Sequence, residues 1–180
     1  MRIKTETSTL LIIDIQARLF PVIDDCQALA DNALWLQQVA QRIGVPVLLT
    51  EQYSKGLGQT IPALRAGHQP AAIIEKLHFS AVSEGELFTR PGGERSQFVV
   101  CGSEAHVCVL QTVLDLLAAG RRVFVVAEAV GSRKASDKAL ALARMQQAGA
   151  SIVSREMVAF EWLEQAGSEL FREVSKAFIR

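Results

Sequence analysis

The chain has 180 residues, 49% of them hydrophobic, with 19 Lys and Arg residues against 19 Asp and Glu residues. This length and composition predict one domain, spanning residues 1–180, with a buried core. The net charge of zero argues against a nucleic-acid-binding surface and against an anionic-membrane partner. Every apolar run is far shorter than the ~20 residues that a membrane span needs.

The N-terminal residues and the cysteines predict a cytoplasmic location. The opening segment MRIKTETSTLLIID lacks the layout of a signal peptide. The three cysteines, Cys26, Cys101 and Cys108, are odd in number and have no CxxC spacing. This pattern argues against a disulfide framework and against a zinc knuckle, so we expect reduced thiols.

Short apolar runs alternate with helix-length amphipathic segments along the chain. Runs rich in consecutive Val, Ile and Leu predict strands that are covered on both faces, at residues 9–13, 45–50, 71–75, 97–101, 122–127 and 151–153. Amphipathic spacing predicts helices at residues 25–43, 106–119, 135–148 and 167–178, and the first three are followed directly by a glycine. This order predicts an α/β fold, a parallel sheet with helices on both faces.

Reactive side chains follow several of the predicted strands. Asp14 follows the first strand, Glu51 and Gln52 the second, and Lys76 the third, while the loop after the fourth strand leads to Cys108. Ligands of parallel sheets bind beyond the carboxyl ends of the strands. The sequence therefore predicts that a carboxylate, an amine and a thiol meet at one edge of the sheet.

Cys108 is the strongest single candidate, although a buried helical cysteine is the ordinary alternative. Its position in the first turn after a strand is one where the helix dipole supports a thiolate, so a lowered pKa is expected. Cys101 lies in the apolar run FVVCG and is predicted to belong to the core, and Cys26 is assigned a structural role.

The remaining candidates each have an ordinary structural alternative. Asp14 either caps the loop that follows it or acts in catalysis, and Lys76 is either a solvated lysine or a catalytic one. His78 and His106 are interpreted mainly as satisfied polar residues. Taken together, Asp14 as base, Cys108 as nucleophile and Lys76 as the stabilising cation form an apparatus for acyl transfer.

The chain resembles the isochorismatase-like hydrolases, also called cysteine hydrolases. The resemblance is carried, in order, by LLIIDIQARLF, VPVLLTEQYSKGLG, IIEKLHFSA, VVCGSEAHVCVLQT and VVAEAVGSRKASDKALALARMQQAGASIVSREM. The GSEAHVCV and TEQYSKGLG segments resemble the isochorismatase domain-containing subgroup more than the nicotinamidases.

The resemblance implies a three-layer α/β/α sandwich around a six-stranded parallel sheet of order 3-2-1-4-5-6. It also implies a catalytic Asp–Lys–Cys triad at Asp14, Lys76 and Cys108. A cis peptide bond is implied between Ser103 and Glu104, with the backbone amides of Glu104 and Cys108 forming an oxyanion hole. Further residues are expected to line a substrate pocket, namely Gln16, Phe20, Tyr53, Phe79 and His106.

Two departures from relatives bear on the chemistry. The segment TEQYSKGLGQT lacks the Asp/His cluster of nicotinamidases, so neither a metal nor another cofactor is expected. Ala105 replaces a threonine that is common in the nucleophile loop. Because strict isochorismatases need no thiol nucleophile, Cys108 favours cleavage of an amide-type C–N bond in a small molecule.

Two other readings remain open from the sequence. In one alternative, the chain keeps the fold with little turnover and is a binding or assembly protein, because fold alone does not specify chemistry. A nucleotide-binding domain is disfavoured because DIQARLF, not a glycine-rich loop, follows the first strand. A homo-oligomer is expected. The apolar C-terminal side chains either form an interface or cover the sheet, namely Trp162, Leu163, Leu170 and Phe171.

Overall fold

The computed structural model describes residues 1–179. Its centre is a six-stranded parallel sheet with the strand order β3-β2-β1-β4-β5-β6. The strands are β1 (Ser8–Ile13), β2 (Val47–Gln52), β3 (Ile73–Lys76), β4 (Gln97–Ser103), β5 (Arg122–Gly131) and β6 (Ser151–Val153). The predicted order and parallel orientation are confirmed.

Helices cover both faces of this sheet. They are α1 (Cys26–Ile43), α2 (Ser54–Leu57), α3 (Pro62–Arg65), α4 (Leu110–Ala118), α5 (Ala135–Gln147), α6 (Arg155–Leu163) and α7 (Glu169–Val174). Short 3₁₀ turns lie at Phe20–Val22, Pro70–Ala72 and Leu87–Thr89, and π-helical turns lie at Ala105–Val109 and Ser175–Ile179. The predicted helix at 106–119 is therefore a π-helical turn followed by α4.

Alternate residues of β1 point into two separate cores. Leu10 and Ile12 pack with side chains of α1 and α6, whereas Leu11 and Ile13 pack with side chains of α4 and α5. All six residues of β1 are buried. This arrangement explains the continuous apolar run in the sequence, because both faces of the central strand are covered.

The C-terminal helices complete the first core. Trp162 and Leu163 are buried in it, and Leu170 and Phe171 pack against it from partly exposed positions. Trp162 and Leu163 therefore cover the sheet, which is one of the two roles that the sequence left open. Helix α6 was not predicted, although Ser154 caps its first turn by accepting a hydrogen bond from the Met157 backbone N–H.

Strands β1 and β4 approach each other closely at the end that carries the candidate residues. Ile13 pairs with Gly102, which has a φ of +129°. A Cβ atom built on Gly102 would lie 2.1 Å from the carbonyl oxygen of Ile13. Only glycine fits at this position, and its close approach fixes the spacing between Asp14 and the loop after β4.

Candidate active site

Four polar side chains follow neighbouring strands and meet at the carboxyl edge of the sheet. Asp14 follows β1, Gln52 ends β2, Lys76 ends β3, and Cys108 lies in the π-helical turn after β4. Asp14 has a φ of +50° and Tyr53, just after β2, has a φ of +40°. These left-handed conformations, uncommon for residues other than glycine, turn the chain out of the sheet at the site.

Asp14 and Lys76 form a buried ion pair. The Lys76 Nζ lies 2.8 Å from the Asp14 Oδ2, and both side chains are inaccessible to solvent. The Thr50 hydroxyl donates a hydrogen bond of 2.6 Å to the other carboxylate oxygen. Each carboxylate oxygen thus has a partner, as a charge removed from water requires.

Gln52 lies between this ion pair and the thiol. Its Oε1 accepts a hydrogen bond of 2.6 Å from the Lys76 Nζ and lies 4.0 Å from the Cys108 Sγ. Its Nε2 donates to the Leu77 carbonyl, while Lys76 also donates to the Phe79 carbonyl at 3.0 Å. Gln52 was selected from the sequence because it lies at the carboxyl end of a predicted strand, but its contact with both Lys76 and Cys108 was not predicted.

Gln16 is fully buried and holds the backbone of Gln52 in place through hydrogen bonds. Its Oε1 accepts from the Gln52 backbone N–H at 2.7 Å, and its Nε2 donates to the carbonyls of Gln52 and Gly58. With both ends of its amide occupied, Gln16 holds the end of β2 against the loop at Gly58. The structure therefore places it beneath the cavity described below and not among the residues that line it.

Burial raises the pKa of the Cys108 thiol, and the neighbouring Asp14 carboxylate raises it further, while Lys76 opposes the increase. The expected lowering of this pKa by the helix dipole is therefore wrong. The side chain is almost fully buried, and loss of solvation penalises a thiolate more than the first turn of a helix favours it. The resting group is a protonated thiol.

A cavity of about 510 Å³ opens above Cys108. Its polar lining consists of Arg18, Gln52, Glu104, Cys108 and Arg133, and its apolar lining consists of Leu19, Val22, Leu57, Phe79 and Val107. This combination of an apolar wall with a few polar groups is typical of sites for small molecules.

Of the five side chains predicted to line the pocket, Phe79 is the one that lines this cavity. Tyr53 lines an adjacent cavity of about 370 Å³ that also reaches Lys76. Phe20 packs against the core beside α1, and His106 lies 2.9 Å from the Ser132 hydroxyl. The structure thus places Phe20, Tyr53 and His106 outside this cavity. The prediction missed this because the positions of loop residues cannot be inferred from the strand ends.

Glu104 and Arg133 form an ion pair on the cavity wall that the sequence did not predict. The Arg133 Nε and backbone N–H both donate to the nearly buried Glu104 carboxylate. The peptide bond before Glu104 is cis, at the position expected from the resemblance. Arg133 follows the observed end of β5 at Gly131, but the sequence predicted this strand to end at residue 127, so the prediction from strand ends missed it.

Among residues 1–179, no three His, Cys, Asp or Glu side chains are grouped so that they could hold a metal ion. None of the helices within those residues combines the length and the apolar character needed to cross a bilayer.

Known proteins resemble this chain over nearly its whole length. The Isochorismatase domain family matches residues 8–157. Isochorismatase domain-containing protein 2 of Danio rerio is 36% identical over 177 residues, which are 97% of this chain and 88% of the relative.

Solved structures share the fold as well. MAR1 ribonuclease from Caenorhabditis elegans superposes with a TM-score of 0.90 at 33% identity, covering 100% of this chain and 93% of its own. YcaC from Escherichia coli, described as an octameric hydrolase of unknown specificity, superposes with a TM-score of 0.90 at 25% identity, covering 99% and 91%. From the matched residues, the shared strand order and these relatives, we conclude that this chain belongs to the isochorismatase family.

Proposed function

We propose that this protein hydrolyses the C–N bond of a small carboxamide through a thioester on Cys108, with Asp14 and Lys76 as its catalytic partners. The single observation that carries the proposal is that the Cys108 thiol lines the cavity while the Asp14 and Lys76 charges both act on its pKa. Membership of a family whose E. coli relative is described as a hydrolase supports the reaction class.

In the first step, Asp14 removes the thiol proton as the sulfur attacks the carbonyl carbon. The raised pKa of Cys108 makes this coupling necessary, because little thiolate is present before the substrate binds. The carbonyl oxygen becomes an oxyanion, and we assign its stabilisation to the backbone N–H groups of Glu104 and Cys108. Both residues line the cavity, which supports this assignment.

In the second step, the tetrahedral intermediate collapses. The C–N bond breaks, Asp14 returns its proton to the leaving nitrogen, and ammonia or an amine departs, which leaves an acyl thioester on Cys108. Lys76 keeps Asp14 ionised between proton transfers through their 2.8 Å contact. Its hydrogen bond to Gln52 holds the ammonium in place during these transfers.

In the third step, Asp14 removes a proton from a water molecule that attacks the thioester carbon. The C–S bond then breaks, the departing sulfur recovers the proton, and a carboxylic acid is released. The sum is one amide plus one water giving one acid plus one amine. No electron donor or acceptor is needed.

Ammonia release from a panel of small amides and ureas tests the proposal. The wild-type protein should release ammonia from at least one compound, with Cys108→Ala as the blank and Cys108→Ser as the isosteric variant. Intact-protein mass spectrometry after rapid acid quench should detect the acyl adduct on the wild type. Equal release by wild type and Cys108→Ala would contradict the assignment of the nucleophile.

One observation favours the alternative of a binding or assembly protein. A buried thiol with a raised pKa is inert unless a substrate triggers proton transfer to Asp14. The rate of iodoacetamide alkylation at pH 7 should be low for both functions, so protection by amides and ammonia release separate them. An enzyme of the proposed kind should be alkylated slowly at rest and be protected by its substrate amides, whereas a binding protein should release no ammonia from any compound.

The names of two relatives suggest two further measurements, one of RNA cleavage and one of the oligomeric state. The C. elegans relative is called a ribonuclease, but the net charge of zero in this chain provides no basic excess for RNA, so we expect RNA to remain intact. We also propose a homo-oligomer, supported by the octamer described for the E. coli relative. A monomer in sedimentation velocity at all concentrations would contradict that proposal.

A further inference from the structure

Two arginines line the cavity above Cys108, and their hydrogen bonds leave donors free. Arg133 uses its Nε and its backbone N–H on Glu104. Its two Nη atoms have no hydrogen-bond partner among residues 1–179. A guanidinium offers five N–H donors in a planar fork, so most of the capacity of Arg133 remains available to a ligand.

Arg18 is exposed on the same cavity and is bound only to neutral groups. Its Nη1 donates to the Gly56 carbonyl at 2.9 Å and to the Lys55 carbonyl at 3.3 Å. These contacts orient the guanidinium on the α2 turn without compensating its charge. Within the described part of the chain, no carboxylate forms an ion pair with Arg18.

The charges of the site leave one positive charge at the cavity. Lys76 is compensated by Asp14, and Arg133 is compensated by Glu104, the one acidic side chain lining the cavity among residues 1–179. Arg18 alone remains uncompensated. Apart from Gln52 and Cys108, the rest of the lining is apolar and includes Leu19, Leu57 and Phe79.

We propose that the substrate is a small amide that also carries a carboxylate, which binds Arg18 and the free Nη atoms of Arg133. This inference rests on the proposed function and names its substrate class. A short methylene segment between the amide and the carboxylate packs against the apolar wall while the carboxylate neutralises Arg18. The half-amides of dicarboxylic acids are the simplest compounds with this pattern.

Paired amides of equal length test the proposal. Succinamate is compared with butyramide, and glutaramate with valeramide, so that each pair differs mainly by a carboxylate in place of a methyl group. We expect kcat/KM for ammonia release to be at least about tenfold higher for the carboxylate of each pair. The cationic compound β-alaninamide should be the poorest substrate.

Arg18→Gln should reduce the preference for the carboxylate to within about threefold, because it removes the uncompensated charge without disturbing a buried group. Arg172→Gln is the matched control. Arg172 is also exposed and donates to two backbone carbonyls, those of Gly167 and Ser168, but it does not line the cavity. This control should keep the preference of the wild type.

The outcomes separate this inference from the proposed function. Equal kcat/KM for both members of each pair, or a preference that survives Arg18→Gln, would overturn the inference while leaving amide hydrolysis intact. If no compound yields ammonia above the Cys108→Ala blank, the proposed function fails, and calorimetric binding of succinamate and butyramide to Cys108→Ala decides the inference. The inference is supported if Cys108→Ala binds succinamate more tightly than butyramide and the Cys108→Ala/Arg18→Gln double variant does not. Equal binding of the two compounds, or no binding of either, overturns the inference.

Discussion

Cys101 and Cys108 are both buried, yet only Cys108 lies beside charged side chains. Cys101 lies within β4 among apolar side chains, and burial alone raises the pKa of its thiol. Cys108 lies in the turn after β4, where burial, Asp14 and Lys76 all act on its pKa. Burial alone makes a thiol inert, and under the proposed mechanism the adjacent Asp14 carboxylate is what allows Cys108 to react.

The largest expected difference between the two cysteines is in catalysis. Cys108→Ala should lower kcat/KM for ammonia release at least about a thousandfold, because the nucleophile is lost. Cys101→Ala should change it by less than about threefold, because this thiol contacts neither substrate nor base. Steady-state assays on both variants measure the difference. Comparable losses in the two variants would show that the sulfur at 108 has no special role.

Removing the cation beside Asp14 should have the largest effect on stability. Lys76→Met leaves the Asp14 carboxylate buried without its ion-pair partner and should cost about 3–5 kcal/mol in the free energy of unfolding. Cys101→Ala, which removes only an apolar contact, should cost about 1 kcal/mol. Urea unfolding at pH 7 measures both. The double variant Lys76→Met/Asp14→Asn should recover part of the loss, and an unchanged loss would contradict the ion-pair explanation.

Gln52 supplies the contact that Cys101 lacks, and it acts as a positioning residue. Gln52→Leu removes the acceptor shared by Lys76 and Cys108 and should lower kcat about tenfold with little change in KM. The pH dependence of Cys108 alkylation should shift as well, which a purely structural role would not produce. Gln37→Leu is the control, because Gln37 is buried in α1 and its Oε1 has no partner within the described residues. An equal fall in kcat for both variants would contradict the positioning role.

The smallest expected effect is common to both cysteines and appears at alkaline pH. Each folded-state pKa is raised above the ordinary value of 9.0, so an unfolded chain releases the thiol proton at a pH where the folded chain retains it. This contribution to stability is fully present below pH 9 and is lost progressively as the pH rises above 9. Each thiol should account for about 1.4 kcal/mol of lost unfolding free energy per pH unit.

Cys101→Ala and Cys108→Ala should therefore each flatten the decline in stability above pH 9 by a similar amount. Urea unfolding of the wild type and both variants between pH 9 and pH 10.5 measures the slopes. A flattening by Cys101→Ala alone would show that Lys76 outweighs burial at Cys108.

The sheet was predictable because its strands carry a local signal. Continuous apolar runs gave β6 at 151–153, as observed, and placed the start of β4 and β5 correctly. The ends of β2 and β3 lie one or two residues later than predicted, because Gln52 and Lys76 are polar although they are in the sheet. Because Gln52 and Lys76 are polar, they were left out of the predicted strands, and for the same reason they were selected as candidate site residues.

The rest of the site could not be read from the sequence because it depends on tertiary contacts. The pKa of Cys108 follows from how deeply the π-helical turn is buried, which its local sequence does not encode. The pairing of Glu104 with Arg133 joins two loops that are distant in the chain. Gln16 was predicted to line the pocket, yet both ends of its amide are hydrogen-bonded to backbone groups.

The 2.8 Å ion pair between Asp14 and Lys76 joins positions 62 residues apart in the chain. It requires β1, β2 and β3 to be together in the sheet, because β2 lies between the two strands that position Asp14 and Lys76. Under the proposed function, recovery of turnover during refolding reports on this completed side of the sheet, whereas far-ultraviolet circular dichroism reports on the helices. A lag between the two signals measures how late this side of the sheet is completed.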